Sequence, residues 1–266
     1  MRQACHVPLH REDPSRIERT PYPAPIWGPL NRYGVLSIWA GRSPIARGGG
    51  RHANMERMRL ELLGSRGRAA ALVTAVAAGA PLLRRAIRSP AGSPEFRSRT
   101  VGLAAWWAGC AAIGGRPRAG GGVLPAAVTG AATAGVFGAG ALLTRRIPPL
   151  RDQVAAVTAH ASKGNLPTVA ALTALTGVGE ELVFRGPLFD LAEDGPAPVV
   201  VSTGVYLAIT LATGNPMLAF AAIPVGILAG ALRAQTGGVV APCVFHVTWS
   251  LAMLVLLPAT HDASPV

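Results

Sequence analysis

From residue 69 to residue 257 the chain alternates apolar runs with short charged connections. The runs lie at about 69–83, 100–115, 122–143, 166–189, 196–213, 216–232 and 237–257. A helix that crosses a bilayer needs about 20 apolar residues, with a range near 17 to 25. The last five runs meet that length, while the first two are short and are expected to be tilted, extended at their ends or partly inserted. The fold expected is therefore all-α, a polytopic membrane helix bundle of about six or seven transmembrane helices. Gly and Ala dominate "AAWWAGCAAIGG" and "AAVTGAATAGVFGAGALL", and small residues let helix backbones approach closely, so these runs read as packed interior helices.

Composition agrees with a membrane chain. Charged residues make up 14% of the sequence and apolar ones 50%, whereas soluble domains carry about 25% charged residues. A net charge of +12 raises the possibility of a nucleic-acid partner. The placement of the charges argues against it: 12 of the 25 basic residues precede residue 69, and most of the others sit between apolar runs. Aromatic residues are not interleaved with them as a nucleic-acid surface requires. Cys5, Cys110 and Cys243 show neither zinc-knuckle nor redox-pair spacing. Cys110 and Cys243 fall in apolar runs and are expected to act as small buried hydrophobes.

Residues 1–54 carry Pro14, Pro21, Pro23, Pro25, Pro29, Pro44 and a Gly48-Gly49-Gly50 run, without sustained apolar periodicity. They read as a disordered basic arm, lacking the continuous apolar core of a secretory signal. Met55 and Met58 precede the first coherent segment, so translation is expected to start at one of them. N-terminal peptide mapping checks this, and one peptide from before residue 50 overturns it. The remaining divisions expected are 55–165, N-terminal helices with basic loops; 166–257, the core that carries the chemistry; and 258–266, a tail.

Charge also suggests an orientation. Arg84, Arg85, Arg88, Arg97 and Arg99 crowd one connection, and Arg145, Arg146, Arg151 and Lys163 crowd another two runs later. Both can be cytoplasmic at once, which puts Asp190, Glu193 and Asp194 on the outer side. Arg57, Arg59, Arg66 and Arg68 are then external if the first run spans.

The segment 166–191 is the anomaly. Asn165 and Pro167 make a helix start, a capping side chain followed by proline in the first turn. Within the segment the ionisable residues are Glu180, Glu181, Arg185 and Asp190. At the bilayer centre each charge costs about 2.5 to 3.5 kcal/mol on insertion scales. Glu181 and Arg185 are spaced i,i+4 with the glutamate toward the N-terminus, the better orientation for a pair on one helix face. Glu180 lies about 100° around the helix and needs a partner from another helix, a water or a metal. A weak exposed pair on a surface helix is the ordinary reading of such spacing. The flanking "TVAALTALTGVG" leaves no polar face for it, so an intramembrane site is the better reading.

Later runs offer polar partners. His246 is the only histidine inside an apolar run, and Ser250 follows one turn later on the same face. Tyr206 and Thr210 form another i,i+4 pair. His6, His10, His52, His160 and His261 lie in the arm, loops or terminus and receive no role.

"EELVFRG" followed by "APCVFHVTWS" resembles the CPBP family of intramembrane proteases, also called the ABI or CAAX-protease-and-bacteriocin-processing family, over about residues 166–257. Its pattern is EExxxR on one membrane helix, FxxxH on a second and HxxxN on a third. Glu180, Glu181 and Arg185 match the first motif fully. In the second, Tyr206 stands at the Phe position and Thr210 at the His position. In the third, His246 is kept and Ser250 stands where Asn is expected. The resemblance implies that the first glutamate and the second-motif histidine activate a water against a peptide carbonyl, with the third motif stabilising the oxyanion. Thr210 donates a hydrogen bond but holds no proton at neutral pH, so base function falls on Glu180, with Glu181 beside it. Ser250 still donates one hydrogen bond to an oxyanion.

A divalent metal such as zinc and no cofactor at all both stay open, with Glu180 and His246 as candidate ligands. They fall short of the three protein ligands typical of catalytic zinc, and neither HExxH nor GxSxG is present. The function expected is a multi-pass cell-membrane endopeptidase. Its partners would be a peptide or membrane-protein substrate and membrane lipid, with no nucleic acid. The alternatives are a catalytically silent relative that binds membrane peptides or scaffolds a partner, and a small proton-coupled carrier. The carrier lacks the paired broken helices and two-half symmetry of its class.

Overall fold

A computed structural model describes residues 50–115, 117–144, 147–163, 165–192 and 197–262. Among them the chain forms nine helices and no strand. These are α1 (Gly50–Ile87), α2 (Pro94–Gly114), α3 (Val123–Thr144), α4 (Pro148–Lys163), α5 (Leu166–Phe184), α6 (Pro187–Leu191), α7 (Pro198–Leu211), α8 (Pro216–Thr236) and α9 (Val240–Asp262). Residues 1–49 of the expected arm lie outside the described residues, while 50–54 belong to α1.

Among the described residues, five stretches are long and apolar enough to cross a membrane: Arg66–Ile87, Val123–Leu143, Leu166–Leu191, Pro216–Thr236 and Val240–Pro258. The first apolar run is thus extended at both ends into a full span. Helix α2 is not among the five, because Glu95, Arg97 and Arg99 occupy its opening turns. Helix α7 is apolar but has only 14 residues, bounded by Pro198 and by the turn at Gly214, whose φ is +76°. The basic connection around residue 151, read from sequence as a loop, is in fact helix α4. It lacks the continuous apolar run that marks the other helices, so hydropathy alone missed it.

Local chemistry sets the helix ends. Ser93 Oγ accepts from the Phe96 amide at 3.0 Å to open α2, and Asn165 Oδ1 accepts from the Thr168 amide at 3.1 Å to open α5, as its sequence suggests. Asn215 caps α8 in the same way, and Gly237 closes it in a left-handed conformation.

Hydrogen bonds between connections place them at two ends. At one end Arg84 Nη1 donates to the Ala212 carbonyl at 2.9 Å, and Asn215 Nδ2 donates to that of Gln153 at 3.2 Å. The α1–α2 connection, α4 and the α7–α8 turn therefore share that end. At the other, the amides of Val239 and Val240 donate to the carbonyls of Arg118 and Ala119, both at 2.9 Å, joining the α2–α3 and α8–α9 connections. Asp190 lies there too, paired with Arg233. Arg84 and α4 thus lie toward one end and Asp190 toward the opposite one.

Helices α2, α5, α7 and α9 surround the buried centre. Trp107 of α2 is buried, with its ring edge against Phe184 of α5 at 5.5 Å. Gly130 admits α9 against α3, since a Cβ there would stand 2.6 Å from the Phe245 carbonyl oxygen. Leu124, Val136, Leu143 and Val200 point outward and are largely exposed, as side chains that meet acyl chains do. Cys110 is buried as expected, whereas Cys243 is half-buried; both are free thiols.

Candidate active site

Helix α5 brings its two glutamates to its last turn and then breaks. Pro187 cannot continue an i→i−4 ladder, so Arg185 becomes the C-cap, its amide bonded to the Glu181 carbonyl at 3.0 Å. The side chains follow the i,i+4 geometry read from sequence. Arg185 Nη1 donates to Glu181 Oε1 at 3.0 Å, and both side chains are 0% exposed. A second arm of the guanidinium, Nη2, donates to the Gly226 carbonyl of α8 at 3.0 Å. The Arg185 guanidinium also lies 5.2 Å from the centre of the Tyr206 ring of α7.

His246 of α9 completes the cluster. Its Nδ1 lies 2.7 Å from Glu181 Oε1, the oxygen that also accepts from Arg185. The other ring nitrogen, Nε2, faces Glu180 Oε2 at 3.9 Å. This exceeds a hydrogen bond. Gly177, one turn before Glu181 on α5, lies beside the imidazole: a Cβ there would stand 3.5 Å from its Cδ2, an ordinary contact.

Four of the six residues singled out from sequence, Glu180, Glu181, Arg185 and His246, therefore meet inside the bundle. Thr210 is buried but directs its hydroxyl to the Tyr206 carbonyl at 2.9 Å, within its own helix. Ser250 stands half-buried one turn beyond His246, and among the described residues it makes no hydrogen bond to the cluster. Two contributors escaped the sequence reading. Arg233 of α8 is buried, donates from Nε to the Arg185 carbonyl at 2.7 Å and pairs through Nη2 with Asp190 at 2.5 Å. Its signal was a lone cation in the last turn of an apolar run, with an unmatched Asp190 on another. Trp249 is the second: its ring lies 5.9 Å from that of His246, and its buried Nε1 has no hydrogen-bond partner among the described residues.

For a metal, Glu180 Oε2 and His246 Nε2 are close enough to share one ion. Among the described residues, however, no group of three His, Cys, Asp or Glu side chains converges. The protein donors therefore do not supply a three-ligand catalytic zinc site.

No curated protein and no solved structure matches the chain. Residues 162–252, which run from the end of α4 into α9 and carry every member of this cluster, match the family model of the Rce1-like type II CAAX prenyl endopeptidases, which supports a peptidase kind of function for this membrane protein.

Proposed function

We propose that the chain is an intramembrane endopeptidase that cleaves membrane-associated peptides or proteins in the cell membrane. The observation that carries this reading is the buried convergence of Glu180 with the Glu181–Arg185–His246 relay, inside the segment that matches a peptidase family. A water between Glu180 and the substrate loses a proton to the Glu180 carboxylate as its oxygen attacks the peptide carbonyl. The resulting oxyanion takes hydrogen bonds from His246 Nε2, in its protonated form, and from the Ser250 hydroxyl. Glu180 then returns the proton to the leaving amine as the C–N bond breaks. Glu181 and Arg185 touch no substrate in this scheme. They fix the imidazole by holding Nδ1, so that Nε2 points at the reacting centre. No step runs through a metal.

The experiment compares membrane-protein N-termini by mass spectrometry in the native host carrying the intact gene, a deletion or Glu180→Gln. Termini that depend on the intact gene and vanish in both altered strains support the peptidase and name its substrates. A strain in which deletion changes the cell while Glu180→Gln matches the intact gene, with no terminus differing, sinks it.

The second reading is a catalytically silent relative that binds membrane peptides or scaffolds a partner. The hydroxyl of Thr210, committed to its own helix, favours it. Thr210→His separates the two. In a slow enzyme, a positioned imidazole on α7 raises gene-dependent cleavage, with about 10²-fold as the lower end of what an acid or base contributes. In a dedicated binder the same substitution creates no new termini.

A further inference from the structure

We propose that Arg233 is a positioning residue: from α8 it clamps the chain break that follows the glutamates of α5, in a role that rests on the peptidase reading above. Helix α5 stops at Phe184, and Pro187 has no amide to extend its ladder. The last carbonyls of a helix have no partner within it, and in hydrocarbon no water supplies one. Two neighbouring helices do so here. Ser202 of α7 is buried and donates from Oγ to the Phe184 carbonyl at 2.7 Å, while Arg233 of α8 donates from Nε to the Arg185 carbonyl at 2.7 Å. A cation is also the charge that a helix C-terminus favours.

The same guanidinium reaches across the break. Its Nη2 pairs with Asp190 Oδ1 of α6 at 2.5 Å, and its carbon lies 5.1 Å from the centre of the Phe189 ring. One side chain thus holds the end of α5 and the start of the next element together. Arg185 is in turn held twice by α8: its Nη2 donates to the Gly226 carbonyl at 3.0 Å, and its own carbonyl accepts from Arg233. Gly226 and Arg233 stand two turns apart on one face of α8, so this helix fixes both the main chain and the guanidinium of Arg185. That guanidinium holds Glu181 Oε1 at 3.0 Å, and the same oxygen holds His246 Nδ1 at 2.7 Å. Arg233 touches no reacting atom and acts through Arg185. Its fork matters, because Nε and Nη2 serve two acceptors at once, whereas a lysine offers a single point charge.

Arg233→Lys isolates the proposal because it keeps the charge beside Asp190 and removes the fork. The full-length chain is expressed in a deletion strain of the native host as the intact gene, Glu180→Gln, Arg233→Lys, Asp190→Ala and Asp190→Asn. Gene-dependent N-termini are quantified by mass spectrometry and divided by membrane abundance from immunoblots, and melting is followed in detergent. A misplacement of about 1 Å far from the chemistry can cost about 10²-fold in rate, so Arg233→Lys is expected to lower termini per molecule by at least about tenfold, with melting unchanged. Asp190 is 37% exposed, so its side chain can be shortened with little loss of core packing. Asp190→Ala is expected to lower termini per molecule as well, and Asp190→Asn to recover most of that loss, since its amide oxygen still accepts from Nη2. Arg233→Lys at the intact level while Glu180→Gln abolishes the termini overturns the role of Arg233 and leaves the peptidase reading standing. A loss that only follows the abundance of Arg233→Lys makes the residue structural and also overturns it, as does Asp190→Ala at the intact level or Asp190→Asn without recovery. Termini unchanged in Glu180→Gln remove the peptidase reading, and this one with it.

Discussion

Glu180→Gln is expected to lower cleavage by about 10²- to 10⁴-fold, the usual contribution of one positioned acid or base, while membrane abundance stays at the level of the unaltered protein. The substitution conserves volume and keeps one carbonyl oxygen, so the packing around α5 is undisturbed. What disappears is the group able to take a proton from water. Glu180 is also the member of the cluster outside the tight ion pair: its nearer carboxyl oxygen stands 3.9 Å from His246 Nε2, whereas Glu181 is engaged by Arg185 at 3.0 Å and His246 at 2.7 Å. Glu180→Gln therefore leaves the tight Glu181–Arg185 pair intact, and the fold is expected to be kept. Quantitative proteomics of new N-termini, normalised to protein abundance, reads both halves of the expectation. A variant that disappears from the membrane would make Glu180 a structural residue.

Arg185→Met is expected to show the opposite pattern, with the fold itself lost. Arg185 joins three helices: it pairs with Glu181 on α5, donates to the Gly226 carbonyl of α8 and lies on the Tyr206 ring of α7. Breaking a buried pair by removing one partner costs about 3 to 5 kcal/mol, because the other charge stays buried without compensation. Only His246 would then remain against Glu181. Arg185→Lys is expected to rescue little, since a single ammonium cannot reproduce the fork that reaches Glu181 and Gly226 together. Glu181→Gln/Arg185→Met, which removes both charges, is expected to regain much of the stability and none of the cleavage. Thermal unfolding in detergent checks the series. An Arg185→Met protein that melts with the unaltered one would show that the pair carries no stability.

Both expectations depend on parts of the molecule that were legible to different degrees. The apolar runs announced most helices, because a bilayer-spanning helix writes its length directly into hydropathy. Helix α4 was lost to that reading, since a helix without a long apolar run leaves no such mark. The Glu181–Arg185 pair was legible because helix geometry alone puts residues four apart on one face. Thr210 and Tyr206 show the limit of the same rule. Both fall on one face of α7, yet the Tyr206 ring packs on Arg185 and His246 while Thr210 bonds back to its own helix.

The sequence by itself determined that this chain forms apolar helices and that one of them carries charges too costly to leave unpaired in hydrocarbon. The tertiary structure decided where those charges go. His246 meets Glu181 across 65 residues, and Arg233 meets the Arg185 carbonyl across 48. Local spacing fixes contacts within one helix, where the backbone is a rigid repeat. Contacts between helices depend on which faces pack and at what depth, and here that follows from small residues such as Gly130, which admits α9 against α3.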